Sequence, residues 1–97
     1  MKVEFTQYLR PDGRKQTITM DVPDDLKEKI DFIIKNNHEF TCEVLTTGEV
    51  ALYVSNNEED IECLIVNNGP GMKEKVIELI NNGFELLKNS EKTINSK

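Results

Sequence analysis

Five short runs of this chain alternate apolar and polar residues with a period of two, and two stretches carry the spacing of a buried helix face. A half-buried strand shows the first pattern because successive side chains leave opposite faces of a sheet. Together the two patterns point to one sheet with helices laid against it. Residues 2–9 place Val3, Phe5, Gln7 and Leu9 on one side, and Lys2, Glu4, Thr6 and Tyr8 on the other. Arg10-Pro11-Asp12-Gly13-Arg14 supplies turn chemistry, and residues 15–22 follow as a second strand with Ile18, Met20 and Val22 inward.

Pro23-Asp24-Asp25 marks a helix start, with Leu26, Ile30, Ile33 and Ile34 on one face. Asn36-Asn37 is the expected stop, since asparagine accepts the left-handed cap conformation. Three β-type runs come next, at 39–46, 49–55 and 60–66, with Thr47-Gly48 joining the first two. Met72, Val76, Leu79 and Ile80 then recur at helical spacing. Asn81-Asn82-Gly83 is the expected cap of this helix, with Phe84 folding back as an anchor and 84–88 open between helix and extended chain.

The order is ββαβββα, an α+β domain with a five-stranded antiparallel sheet, strand order 2-1-3-4-5, and both helices on one face. Strand 3 is expected beside strand 1 and antiparallel to it. The domain is expected to occupy 1–88, leaving 89–97 as a polar, disordered tail. The expected core is Phe5, Ile18, Ile30, Ile34, Phe40, Val44, Leu52, Ile65, Val76 and Ile80. Cys42 and Cys63 share the phase of inward neighbours, Cys63 with Ile61 and Ile65, so both are expected in the core as reduced thiols.

At 97 residues there is room for one core. A net charge of −6 argues against direct binding to nucleic acid or to anionic membranes, both of which need clustered Lys and Arg. No stretch is apolar enough to span a bilayer, and the N-terminus has no signal-type apolar run, so a cytoplasmic location is expected. Two cysteines and one histidine fall short of a metal-ligand pattern. His38 follows a helix terminus and reads as a surface cap rather than a catalytic base. Asn68-Gly69-Pro70-Gly71 lacks the lysine and the spacing of a phosphate loop. No catalytic, cofactor or metal site is therefore expected, and the chain is not expected to be an enzyme.

What remains is a binding surface. No Lys or Arg occurs between Lys35 and Lys73, while Glu39, Glu43, Glu49, Glu58, Glu59, Asp60 and Glu62 all lie there. The cationic cluster is the tip Arg10-Pro11-Asp12-Gly13-Arg14-Lys15. On the sheet face opposite the core, Tyr8, Leu45, Tyr53, Leu64 and Val66 are expected among Thr6, Thr41, Glu43 and Glu62. Aromatic and aliphatic groups ringed by carboxylates are the composition of an interface. The candidate interaction residues are Tyr8, Arg10, Arg14, Glu43, Leu45, Tyr53, Glu62 and Leu64, for a protein partner or a second copy. An alternative from the same charge pattern is an acidic mimic that occupies the nucleic-acid groove of another protein.

The runs Phe5-Thr6-Gln7-Tyr8-Leu9 with Pro11-Asp12-Gly13-Arg14, Glu43-Val44-Leu45-Thr46-Thr47-Gly48-Glu49-Val50, and Asn68-Gly69-Pro70 resemble a small family of uncharacterised proteins from bacteriophages, prophages and bacteria. The likeness covers the first seventy or so residues and leaves out the Lys/Asn-rich C-terminal segment. It implies an accessory protein of mobile elements and carries no activity, cofactor or catalytic residue.

Overall fold

The computed structural model describes residues 1–8, 13–56, 58–67 and 69–95, with side chains as far as Asn89. Strands β1 (Lys2–Tyr8) and β2 (Lys15–Asp21) form a hairpin, and a 3-10 turn (Asp24–Leu26) leads into helix α1 (Lys27–Lys35). Strands β3 (Glu39–Val44), β4 (Glu49–Ser55) and β5 (Asp60–Asn67) form a meander, followed by helix α2 (Met72–Asn95). The sheet has five strands in the order β2-β1-β3-β4-β5, the α+β arrangement that the alternation predicts.

One pairing differs from expectation. β1 and β3 run parallel, through Thr6↔Thr41, Gln7↔Cys42 and Tyr8↔Glu43, so the sheet is mixed rather than antiparallel throughout. The register gives the reason. β2 leaves the sheet at Asp21, level with Lys2 at the start of β1, and β3 enters just below the level of Thr6. The connection containing α1 thus returns the chain to the end of the sheet that it left. It does not carry the chain along a strand, so β3 must run beside β1 in the same direction.

The core lies between one sheet face and both helices. Val3 and Phe5 of β1, Phe40 and Cys42 of β3, Val50, Leu52 and Val54 of β4, and Val66 of β5 meet Leu26, Ile30 and Ile33 from the α1 side and Val76, Leu79 and Ile80 from α2. Phe5 and Phe40 touch across the parallel pair with ring centroids 5.4 Å apart. Phe32 and Phe84 join the helices edge to face at 5.3 Å.

Three expected core residues are exposed instead: Ile34, Val44 and Ile65, at 56%, 48% and 53%. The stripe Leu26, Ile30, Ile33 is what α1 buries, and Ile34 falls at its margin in the last turn of a nine-residue helix. Val44 has the inward phase of Phe40 and Cys42 but is the last residue of β3. Ile65 has the wrong phase. Val50 pairs with Val66, Leu52 with Leu64 and Val54 with Glu62, and then Ser55 pairs with Asp60. Ile61 is the extra residue of a β-bulge, so the inward set passes from Ile61 to Leu64 and Val66. Cys63 and Ile65 turn outward, and Cys63 is exposed while Cys42 is buried.

The second correction concerns α2, which does not stop at Asn81-Asn82-Gly83. It continues to Asn95, past Asn89 where the polar segment begins. Asn81 accepts a hydrogen bond from Lys29 Nζ at 2.8 Å instead of capping. A methyl group on Gly83 would sit 3.0 Å from Val54 Cγ2 and 3.5 Å from Ile33 Cδ1. Glycine there lets the helix approach sheet and α1 closely, so packing overrides its breaking tendency. α1 does end as expected, with Asn37 left-handed at φ 65°.

Candidate functional site

Neither helix covers the opposite face of the sheet. Pairing aligns its residues in rows across the strands. One row runs Thr6, Thr41, Tyr53, Cys63, and the next runs Tyr8, Glu43, Ala51, Ile65. A third joins Glu39, Ser55 and Asp60 at the end where the bulge lies. Large side chains on this face stand around small ones. Thr41, Ser55 and Ala51 are only 6%, 7% and 1% exposed although no helix packs over them, whereas Tyr8 is 38% exposed.

The result is a concavity of about 430 Å3 lined by Tyr8, Glu39, Thr41, Glu43, Tyr53, Ser55, Asn56 and Asp60, with Cys42 beneath. Its floor is a hydroxyl pair, Thr41 Oγ1 and Ser55 Oγ, 3.4 Å apart. Its walls are two phenol rings, and its rim carries three carboxylates from β3 and β5. Burial raises the Tyr53 phenol above its ordinary value, and the negative charges available to Cys63, Glu43 and Asp60 push the same way. Burial likewise raises the Cys63 thiol, with Asp60 and Glu62 adding to it and a hydrogen bond from Tyr53 opposing. Both groups are neutral at physiological pH. Lys15 Nζ lies 5.4 Å from the centre of the Tyr8 ring, a cation on an aromatic face.

A second cleft, about 680 Å3, adjoins the first and shares Glu39 and Asn56 with it. Ile34, Asn36, Asn37, His38 and Glu58 complete it, which accounts for the exposure of Ile34. His38 Nδ1 lies 2.8 Å from the Asn36 carbonyl oxygen, and the Asn56 amide nitrogen lies 3.3 Å from His38 Nε2. Asn56 Oδ1 accepts from the backbone N–H groups of Glu58 and Glu59 at 2.8 and 2.9 Å. One asparagine thus ties the β4–β5 loop to the start of β3.

Of the residues singled out in the sequence, Tyr8, Glu43 and Tyr53 come together in the concavity. Leu45 sits beyond it at the mouth of the β3–β4 hairpin, where its N–H bonds to the Glu49 carbonyl at 2.8 Å. Glu62 and Leu64 are on the helix side, as the partners of Val54 and Leu52. Val66 is on that side too and is buried. Arg14 is exposed just before β2, and Arg10 lies outside the described residues. Alternation alone does not single out Ser55, Asn56 or Asp60 as site residues, and it puts Cys63 on the wrong face. The signal for Cys63 is the bulge, which no alternation pattern marks.

Among the described residues no group of three or more His, Cys, Asp or Glu side chains could hold a metal ion. No helix among them is long and apolar enough to cross a membrane. No family model, no curated protein and no solved structure matches the chain.

Proposed function

We propose that this chain is a small non-enzymatic binding protein that works through the sheet face its helices leave uncovered. The observation that carries the reading is the concavity between Tyr8 and Tyr53, with a buried hydroxyl floor and Glu39, Glu43 and Asp60 around it. Tyrosine suits such a surface because its ring supplies contact area while its hydroxyl finds a polar partner. The occupant is a protein, either a foreign chain or a second copy. The setting, on the resemblance to phage and prophage proteins, is an accessory role in the cytoplasm.

The carboxylates favour a second reading, an acidic mimic that blocks a nucleic-acid-binding groove. From Glu39 to Glu62 seven acidic side chains occur without one Lys or Arg. Capture of partners from host lysate by wild type and by Tyr8→Ala/Tyr53→Ala, across a salt series, separates the two. The sheet-face reading expects loss of capture in the double variant and shallow salt dependence. Steep loss with salt and indifference to the tyrosines favours the mimic. A captured set unchanged by both overturns the sheet-face reading.

A further inference from the structure

The geometry points to an arginine side chain on a basic protein segment as the group that enters the concavity, an assignment that rests on the sheet-face reading above. Charge is the first argument. β3, β4 and β5 contain no Lys or Arg, and Glu39 of β3 and Asp60 of β5 both line this one space. An anionic ligand would meet carboxylates on both sides, and a second copy would bring another net charge of −6. A foreign cation is the complementary occupant.

The aromatic walls are the second argument. Tyr8 already carries the Lys15 ammonium 5.4 Å from its ring centre, so that ring serves as a cation platform in the free protein. Tyr53, one strand beyond β3, supplies another phenol in the same space. A guanidinium is planar, less strongly hydrated than an ammonium, and stacks on such rings.

The floor gives the third argument. Thr41 and Ser55 are more than nine-tenths buried on a face no helix covers, and the hydroxyl bond they share is long at 3.4 Å. Each oxygen keeps acceptor capacity. With the Glu39 and Asp60 carboxylates, that makes acceptors at several positions around one space, on β3, β4 and β5. The five N–H donors of a guanidinium fork match this spread better than the single point charge of lysine.

The test titrates 15N-labelled protein with a short glycine-flanked arginine peptide and with its lysine and citrulline counterparts. The arginine peptide should shift the amides of Thr41, Tyr53, Ser55 and Asp60. It should bind at least about tenfold more tightly than the citrulline peptide, the worth of one charge-assisted hydrogen bond. Glu39→Gln with Asp60→Asn, which keeps shape and removes charge, should erase that margin. Equal binding of arginine and citrulline peptides, or of arginine and lysine peptides, overturns the assignment, as do shifts confined to another surface. A protein partner lost on Tyr8→Ala/Tyr53→Ala but kept on Glu39→Gln/Asp60→Asn would overturn the arginine assignment and leave the sheet-face reading standing.

Discussion

Tyr53 on β4 stands directly across from Cys63 on β5, on the side of the sheet away from both helices. The pair puts a thiol beside the concavity, while the other cysteine, Cys42, is buried on β3. Native protein should therefore take up one equivalent of a thiol reagent, at Cys63, with Cys42 reacting only after unfolding. Only the thiolate attacks, and burial holds the Cys63 thiol above its ordinary value, so labelling should be slow at neutral pH and speed up as pH rises. Peptide mapping of the labelled protein checks this, and labelling of Cys42 in native buffer would contradict it.

Burial pushes the Cys42 thiol up from 9.0 to about 11. Between those values the unfolded chain has lost this proton and the native state keeps it. Stability from this group is thus intact below pH 9 and declines as pH rises towards 11. The decline is on the order of 2–3 kcal/mol. Urea melts of wild type and Cys42→Val across that range should show a shallower alkaline slope for the variant. Identical slopes would refute the account, since Tyr53, also raised, titrates in both proteins.

How much was legible follows from particular residues. In β1, β2, β3 and β4 one phase is plainly more apolar than the other, so their faces follow from alternation. β5 offers Ile61 and Ile65 in one phase against Leu64 and Val66 in the other, and only the bulge against Val54 and Ser55 decides between them. Alternation alone therefore puts Leu64 outward and Cys63 inward, the reverse of what the pairing shows. Tyr8, Glu43 and Tyr53 were readable as site residues because their own strands fix their face. Ser55 and Asp60 become neighbours of Glu39 only through cross-strand register. The length of α2 was hidden for another reason. Asn-Asn-Gly reads locally as a stop, and what overrides it is contact with Lys29, Val54 and Phe32, distant in sequence.

Gly83 makes that override measurable. In an open helix, alanine for glycine gains about 1 kcal/mol. Here the added methyl would lie 3.0 Å from Val54 Cγ2, on a fully buried, branched side chain in a central strand that has little room to give. Gly83→Ala should lower the melting temperature despite its helix propensity, and Gly83→Val should cost about 2–3 kcal/mol through overpacking. A rise in melting temperature for Gly83→Ala would contradict the close approach.

The Asn56 amide faces His38 Nε2, and its oxygen is held by the Glu58 and Glu59 N–H groups, so the amide cannot turn round without losing them. His38 Nε2 must then accept, and Nδ1 must carry the proton to the Asn36 carbonyl. Imidazole 15N shifts of the neutral His38 ring should report the Nδ1–H tautomer, and Asn56→Ala should shift the population towards Nε2–H. An Nε2–H signal in wild type would contradict the network.

The central claim is that the uncovered sheet face is where this protein binds, and Cys63 allows that face to be blocked without touching the core. Wild type and Cys63→Ser would each be treated with a bulky maleimide, checked for an unchanged melting temperature, and used to capture partners from host lysate. The account predicts that labelled wild type loses the partners that unlabelled wild type retains, while Cys63→Ser captures them with or without reagent. Retention of every partner by fully labelled, folded wild type would contradict it.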